Sequence, residues 1–376
     1  MKLGSLFDGS GGFPLAGAIN GIEPVWASEI EAYPLKVTAA RFPNMIQLGD
    51  VTKINGAAIE PVDVITFGSP CQDLSVAGKQ AGIHDGERSN LFFEAIRIIK
   101  EMRERDRADG RADELCRPRF AVWENVLGAF SSNKGADFQA VLQALCEVTD
   151  ASVSVPLPEK GKWQKAGCIV GDGYSVAWRV YDAQFWGVPQ RRKRIYLIAD
   201  FGSERAGEIL FEREGVRGDS AQGRNAWEAI TANATGGIGV NFAAGFVGRQ
   251  GSKSGSIAFE ENMSPTLRAT MSAEVIYPIP IIDSIGGQAE TGKYSLTCGT
   301  LKACHFKSPP AIIPIKEYRI RHITPLEFCR LQGFPDWWED GVEGSDSARY
   351  KMWGNGIALP CAVDVLSRIA NATQNT

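Results

Sequence analysis

The sequence has few of the residues that build metal and disulfide sites. Its three histidines are His84, His305 and His322, and none of its eight cysteines forms a Cys-x-x-Cys pair. Structural zinc sites use close groups of these residue types, so we expect no bound metal. Without a secretion signal a disulfide framework is not expected either, and most of the cysteines should be small buried side chains.

The sequence also lacks long apolar runs and a strong charge of either sign. No stretch approaches the roughly 18 apolar residues that span a membrane. The segment Met1–Phe7 is not a charged-then-apolar leader, so we expect a cytoplasmic protein with no membrane partner. The formal net charge of −4 argues against a protein that coats nucleic acid by bulk charge, although a local basic stripe would be enough to bind it.

The composition is that of an ordinary globular protein, with 44% hydrophobic and 22% charged residues among 376. From Leu3 to about Asp200, short apolar runs alternate with amphipathic segments, which predicts a doubly wound, mainly parallel α/β sheet. The predicted strands are 3–7, 24–27, 62–67, 120–123, 175–180 and 194–199, and the predicted helices are 14–20, 34–42, 91–102 and 138–148.

The chain divides into three parts by composition. We expect residues 1–200 to form a catalytic and cofactor-binding domain, residues 201–318 a smaller, irregular, strand-rich domain, and residues 319–376 a segment that returns to the first domain. The middle part is distinguished by its high content of Gly, Ser and Thr. In the last part, Thr324, Pro325 and Glu327 predict the capping box of a helix. The densely charged tract 101–119 is expected to be a solvated helix end and loop.

A glycine-rich turn joins the first strand to the first helix. Its sequence is Phe7-Asp8-Gly9-Ser10-Gly11-Gly12-Phe13, and glycines at such a turn let the backbone approach a ligand closely. The next strand ends near Glu29, where a carboxylate can take the ribose hydroxyls of an adenosine-like cofactor. Asp50, after a third strand-like segment, is placed to accept a hydrogen bond from an adenine amino group. Together these residues predict a nucleoside cofactor.

A cysteine follows another predicted strand, in the segment Gly68-Ser69-Pro70-Cys71-Gln72. Ligands of such folds bind at the carboxyl ends of the strands, where Cys71 would stand. A buried structural thiol is the commoner role of cysteine, and position alone does not separate the two interpretations.

Two later segments favour a nucleophile. Glu124 ends the next strand, and Gln190-Arg191-Arg192-Lys193-Arg194 precedes another. Carbon 5 of cytosine is a poor nucleophile until a thiolate adds at carbon 6, and the ring charge must then be stabilised. A carboxyl group at ring nitrogen 3 and an arginine at oxygen 2 would do so. Taken alone, Glu124 could be an ordinary acid at the end of a strand. Taken alone, the basic run 190–194 could be a solvated or phosphate-facing patch.

Taken in order, these segments resemble the motif set of the C5-cytosine-specific DNA methyltransferases of bacterial or phage restriction-modification type. The resemblance covers roughly 2–200 and 319–369 and rests on the glycine-rich turn, Pro70-Cys71-Gln72, Glu124-Asn125-Val126, Gln190-x-Arg192-x-Arg194, the segment 330–335 and Gly354-Asn355-Gly356. It implies a Rossmann-like S-adenosylmethionine-dependent methyltransferase fold, with 201–318 as the target recognition domain. It also implies a sequence-specific DNA (cytosine-5-)-methyltransferase that flips its target base out of the duplex.

The resemblance assigns roles residue by residue. Cys71 would attack carbon 6, Glu124 would hold nitrogen 3, and Arg192 and Arg194 would surround the base. The cofactor S-adenosylmethionine would be bound by Phe7, Gly9, Gly11, Gly12, Phe13, Glu29, Ile30, Asp50, Val51, Pro70, Leu91 and Asn355. Double-stranded DNA would be contacted by Gln72, Ser75, Arg88, Arg249, Gln250, Lys253, Arg268 and Lys302. The segment 72–90 would be the family's mobile loop.

Further expectations follow from the same resemblance. The protein is expected to be a monomer, with a cognate restriction endonuclease as a functional rather than a physical partner. The family commonly has Ala or another small residue where Asp8 stands, usually Ser or Ala where Gly356 stands, and frequently an aromatic residue where Ser69 stands. Relatives that methylate transfer RNA carry a Cys-Phe-Thr triplet, which this sequence lacks.

Two other classes of function stay open from the sequence. A catalytically silent DNA-binding module or donor-binding regulator would keep the fold, although Cys71, Glu124 and Arg192 are all present. A nucleotide-dependent oxidoreductase would rest on the glycine-rich turn alone.

Overall fold

The structure is a computed structural model. It describes residues 1–69, 91–211 and 324–374, together with the strand backbones 244–247, 260–261, 273–279 and 317–322. Within these residues, eight strands form a main sheet and eight α-helices surround it or follow it. The strands are β1 Lys2–Leu6, β2 Glu23–Ser28, β3 Ile46–Gln47, β4 Val64–Phe67, β5 Phe120–Val126, β6 Ala166–Val170, β7 Ser175–Asp182 and β8 Lys193–Asp200. The helices are α1 Gly12–Ile19, α2 Ala32–Arg41, α3 Leu91–Ala108, α4 Ala136–Cys146, α5 Ala206–Leu210, α6 Pro325–Leu331, α7 Asp346–Asn355 and α8 Leu359–Gln374.

The main sheet is mixed, with the strand order β3-β2-β1-β4-β5-β8-β7-β6. The five strands from β3 to β5 are parallel to their neighbours, whereas β8, β7 and β6 pair antiparallel. The predicted α/β class with a mainly parallel, doubly wound sheet is therefore confirmed. Strand β6 was not predicted, because its alternately exposed edge lacks the continuous apolar run of a central strand.

Successive residues of the central strands pack on opposite faces of the sheet. Val64 lies in the hydrophobic core on one face and Ile65 in the core on the other, and Val122 and Trp123 divide in the same way. The first core is completed by α1, α5 and α8, and the second by α3 and α4. Because both faces are covered by helices, these strands are apolar at almost every position.

The strand order reverses between β1 and β4. The chain first moves outward from β1 to β2 and β3, and then returns to place β4 on the other side of β1. In open α/β sheets, ligands bind beyond the carboxyl ends of the strands at this switch point. The glycine-rich turn follows β1 and the segment that leads to Cys71 follows β4, so the topology brings both to the same edge.

The last described segment, residues 324–374, packs on the first half of the chain. Its first helix starts with the predicted capping box, in which the side chains and backbones of Thr324 and Glu327 bond reciprocally. Trp338 donates from Nε1 to the carbonyl oxygen of Ser10 at 2.8 Å, and Asn20 donates from its side chain to the carbonyl oxygen of Val363 at 3.1 Å. These contacts join the end of the chain to the glycine-rich turn and to α1.

A second, antiparallel sheet has the order β10-β9-β11-β12. Its strands are β9 Ala244–Val247, β10 Glu260–Glu261, β11 Ala273–Ile279 and β12 Glu317–His322. The sheet agrees with a strand-rich middle part, while the domain limits 1–200, 201–318 and 319–376 stay a prediction. Helix α5 follows the predicted limit at residue 200, but it packs on the strands β7 and β8 of the main sheet and on α8.

The charged tract 101–119 differs from the expectation of a solvated segment. Arg103 is fully buried and donates to the carbonyl oxygens of Cys116, Pro118, Asp113 and Phe201. Asp106 is also buried and accepts from the backbone and guanidinium of Arg117. Both side chains are paired, which is the condition under which charged groups enter a protein interior.

The described residues contain neither a candidate membrane helix nor a candidate metal cluster. No helix in this part of the chain is long and apolar enough to cross a membrane. No group of three or more His, Cys, Asp or Glu side chains in it is arranged to hold a metal ion.

Candidate active site

The turn after β1 has an unusual backbone. Phe7, Gly9 and Gly11 all have positive φ angles, of 56°, 58° and 79°. A bulky residue such as Phe7 adopts this conformation only where its surroundings impose it, and such residues concentrate at functional sites. A Cβ added to Gly11 would lie 3.0 Å from the side chain of Thr38 and 3.2 Å from that of Trp338. The side chains of α2 and of the last segment therefore pack closely on the turn. The helix α1 then starts at Gly12, and Phe13 is buried in the first core.

Glu29 follows β2 and holds the same turn. Its Oε2 accepts from the backbone N–H of Gly9 at 2.8 Å, and its Oε1 accepts from Ile30 and Glu31. A carboxylate oxygen accepts about two hydrogen bonds, so Oε2 retains capacity for a ligand hydroxyl. The neighbouring side chain of Ile30 is 71% exposed, which leaves an apolar surface beside the carboxylate.

Asp50 lies at the third strand end. Its Oδ1 accepts from the backbone and hydroxyl of Thr52, and these hydrogen bonds lower the pKa of the carboxyl group. Val51 is buried in the second core, and Leu91, at the start of α3, packs against it. The structure thus brings Phe7, Gly9, Gly11, Glu29, Ile30 and Asp50 to one end of the sheet.

Asn355 comes to this region from the far end of the chain. It is the last residue of α7 and is exposed. The next residue, Gly356, lies so close to Ser10 that an added Cβ would be 2.9 Å from Ser10 Oγ. The hydroxyl of Ser10 therefore occupies the space that a larger residue at position 356 would need, which accounts for the glycine where the family usually has Ser or Ala.

Glu124 lies at the end of β5 and is 8% exposed. Its Oε1 is 3.2 Å from Nε of Arg194, which stands opposite on the antiparallel strand β8. Burial raises the pKa of Glu124, and the charges of Arg194 and Arg192 oppose that shift. A buried carboxyl group of this kind keeps its proton to a higher pH than an exposed glutamate does.

Arg192 is placed differently from Arg194. It is only 3% exposed and donates from Nη2 to the carbonyl oxygen of Gly356, which is 164 residues away in the sequence. Burial lowers the pKa of its guanidinium to about 9. Arg194 contacts Glu124, whereas Arg192 connects β8 to the residue next to Asn355.

The backbone before Cys71 is held by β5. A Cβ added to Gly68 would lie 3.4 Å from Oε2 of Glu124. Asn125 donates from Nδ2 to the carbonyl oxygen of Ser69 at 3.0 Å, and Trp123 donates from Nε1 to Ser69 Oγ at 3.2 Å. The hydroxyl of Ser69 thus supplies an acceptor to the indole N–H of the fully buried Trp123.

Several predicted site residues fall outside the described residues. They are Pro70, Cys71, Gln72, Ser75, Arg88, Arg249, Gln250, Lys253, Arg268 and Lys302. The segment 72–90, predicted as a mobile loop, lies outside them as well.

The sequence reasoning missed two residues that shape the site. The roles of Asn125 and Trp338 are hydrogen bonds to the backbones of Ser69 and Ser10. An amide directly after a candidate catalytic acid was a usable signal for Asn125. For Trp338 no local signal existed, because its partner is 328 residues away.

The sequence matches the family described as C-5 cytosine-specific DNA methylase over residues 1–149 and 170–371. The chain belongs to this family. The resemblance stated from the motifs is therefore confirmed.

Individual relatives align with most of this chain, and they carry the names of different methyltransferases. The chain is 26% identical to a protein of Escherichia phage P1 named DNA N-6-adenine-methyltransferase, over 94% of this chain and 59% of that protein. It is 28% identical to the type II methyltransferase M1.ScrFI of Lactococcus lactis subsp. cremoris, over 96% of this chain and 75% of that protein. The chain thus spans less than two thirds of the phage P1 relative.

Solved structures support the fold. The Dnmt2 methyltransferase of S. pombe superimposes with a TM-score of 0.55 at 15% identity, over 100% of both chains. At this identity the likeness shows the fold alone, which is the S-adenosylmethionine-dependent methyltransferase fold expected from the motifs.

Proposed function

We propose that this protein is a DNA (cytosine-5-)-methyltransferase that transfers a methyl group from S-adenosylmethionine to carbon 5 of a flipped cytosine. The observation that carries the proposal is the buried Glu124, paired with Arg194 and packed against the backbone that leads into Pro70-Cys71. Cys71 follows Gly68 by three residues in the sequence.

The residues divide the chemistry among them. The thiolate of Cys71 forms a bond to carbon 6, and the displaced electron pair makes carbon 5 nucleophilic. Glu124 places its proton at ring nitrogen 3, and Arg194 faces oxygen 2, so both stabilise the charge on the ring. After methylation, carbon 5 loses its proton to solvent and the electron pair of that bond reforms the double bond between carbons 5 and 6. The sulfur leaves carbon 6 with the electron pair of the C–S bond, and nitrogen 3 returns its proton to Glu124.

We assign the donor pocket to S-adenosylmethionine. In this proposal Glu29 would take ribose hydroxyls, Asp50 would take an adenine amino group, and Ile30 would contact the face of the base. The turn at Gly9 and Gly11 would approach the donor, and Asn355 would contact it from the other side. When bound, S-adenosylmethionine supplies an electrophilic methyl group.

Methylation of adenine at nitrogen 6 is the other candidate, because the phage P1 relative bears that name. An exocyclic amine attacks a methyl group through its own lone pair and needs no thiol nucleophile. The family match and the Glu124–Arg194 pair therefore favour cytosine. A silent DNA-binding module would keep this geometry but make no methylated base.

The remaining features belong to the same proposal. The second sheet and its surroundings, residues 201–318, would form the target recognition domain. The eight predicted contact residues named above would reach the DNA, at phosphates more often than at bases. We propose a cytoplasmic monomer, with a restriction endonuclease as a functional partner.

Nucleoside analysis by mass spectrometry tests the reaction. Duplex DNA of mixed sequence is incubated with S-adenosylmethionine and either the wild-type protein, Cys71→Ala or Cys168→Ala. We expect 5-methylcytosine with the wild type and with Cys168→Ala, since Cys168 is an exposed cysteine on β6, and none with Cys71→Ala. Formation of N6-methyladenine, or equal 5-methylcytosine with Cys71→Ala, would contradict the proposal.

A further inference from the structure

Asp8 is a buried carboxyl group that the proposed reaction does not use. It is 7% exposed, and its Oδ1 accepts from Ser5 Oγ at 2.7 Å. Its other oxygen, Oδ2, is buried with no hydrogen-bond partner among the described residues. A buried acceptor without a donor is costly and uncommon in native structures, so this oxygen requires an explanation.

The position of Asp8 links it to the donor pocket. Its backbone N–H donates to the carbonyl oxygen of Ser28, at the end of β2. The next residue, Gly9, donates to Glu29. Asp8 therefore stands between the ends of β1 and β2, beside the switch point and next to Gly9 and Glu29, two of the residues proposed to hold S-adenosylmethionine.

The electrostatic surroundings of Asp8 favour a cationic ligand. Burial raises the pKa of Asp8 to about 7, and the charge of Glu29 acts in the same direction. Among the described residues, Glu29 at the end of β2 is the charged side chain whose charge raises the pKa of Asp8. A cation placed here would face two carboxylates and would compensate the cost of burying the negative charge on Asp8.

The chemistry of the unpartnered oxygen narrows the choice of ligand group. S-adenosylmethionine carries two positive groups, the sulfonium and the α-ammonium of its methionine part. Of these two positive groups, only the ammonium has N–H donors. The carboxylate oxygen of Asp8 without a partner is an acceptor and requires such a donor. We propose that Oδ2 of Asp8 accepts a hydrogen bond from the α-ammonium of the methyl donor, so that Asp8 is a specificity residue for the amino-acid end of the cofactor.

This inference rests on the proposed function and adds a residue to its donor pocket. The family commonly has a small residue at this position, so the turn does not depend on an aspartate there. The positive φ angles lie at Phe7, Gly9 and Gly11 and not at Asp8. We therefore expect Asp8→Ala and Asp8→Asn to fold.

Calorimetry with three ligands tests the contact. The ligands are S-adenosylmethionine, with sulfonium and ammonium; S-adenosylhomocysteine, with ammonium alone; and methylthioadenosine, with neither. At pH 8, Asp8→Asn and Asp8→Ala should bind the first two on the order of 10- to 100-fold more weakly, as for loss of a charged hydrogen bond. Binding of methylthioadenosine should stay unchanged.

The control variant is Asp182→Asn. Asp182 is also 7% exposed and also has one buried carboxylate oxygen without a hydrogen bond, but it lies at the end of β7, four strands from β1. It should bind all three ligands as the wild type does. A pH series with S-adenosylhomocysteine adds a second readout: binding to the wild type should strengthen from pH 5.5 to 7.5, as Asp8 loses its proton, and the slope should be smaller in Asp8→Asn.

Each other outcome contradicts the inference in a recognisable way. Weaker binding of S-adenosylmethionine alone would indicate a contact to the sulfonium. Equal weakening of all three ligands would indicate a structural role for Asp8, and unchanged binding would remove any role. If the wild type bound neither S-adenosylmethionine nor S-adenosylhomocysteine, the proposed function itself would fail.

Discussion

Two regions of one sheet edge hold acidic side chains, and they hold them in different ways. At the ends of β2 and β3, Glu29 and Asp50 are partly exposed and accept hydrogen bonds from nearby backbone N–H groups. At the end of β5, Glu124 is buried and faces Arg194. We call these regions the donor side and the target side.

The pKa directions follow from this difference. Hydrogen bonds from Thr52 lower the pKa of Asp50, whereas burial raises that of Glu124. An ionised, partly hydrated carboxylate suits the binding of hydroxyl and amino groups, and a buried one suits proton donation. Asp8 shares one feature with each region: it lies on the donor side, and it is buried like Glu124 on the target side.

The largest expected effect tests the target side. Glu124→Gln keeps the shape of the side chain but removes the ionisable proton, so we expect the single-turnover rate of methyl transfer to fall roughly 100- to 10,000-fold. Donor affinity, measured by calorimetry, should stay within about twofold. Glu29→Gln is the matched variant on the donor side and should weaken donor binding more than it slows transfer at saturation. A Glu124→Gln variant with the full rate would contradict the proposed mechanism.

A smaller effect tests the connection between the two sides. Arg192→Met removes the donor to the buried carbonyl oxygen of Gly356, and we expect a loss of about 1–3 kcal/mol in the free energy of unfolding. The Glu124 pKa should also rise, because Arg192 is one of the two charges that lower it. Arg191→Met, at an exposed neighbouring position, serves as the control in chemical denaturation. Equal stability of the two variants would show that the connection contributes nothing.

The sequence was informative where the determining signals are local. Apolar runs predicted the central strands, and Thr324 with Glu327 predicted the helix start that the structure contains. The turn at Phe7–Phe13 could be placed between a strand and a helix because its glycines follow an apolar run directly.

Interactions between distant residues could not be predicted. The tract 101–119 looked solvated because its charges are dense, but Arg103 finds four carbonyl acceptors that only the folded chain assembles. The motif predicts Arg192 beside the target base. Its hydrogen bond to the carbonyl oxygen of Gly356 was not predictable, because it forms only when the last segment of the chain packs on the first domain. The buried carboxylate oxygen of Asp8 that has no hydrogen-bond donor likewise depends on how the turn packs in the folded chain.

The most direct test of the central claim is covalent trapping on DNA. Duplex DNA with 5-fluorocytosine at the target position is incubated with the protein and S-adenosylmethionine, because fluorine at carbon 5 cannot leave as the proton does and the protein stays attached. We predict an adduct on the peptide that contains Cys71, absent in Cys71→Ala. Formation of 5-methylcytosine on ordinary DNA, without such an adduct or with an adduct at another cysteine, would contradict the account.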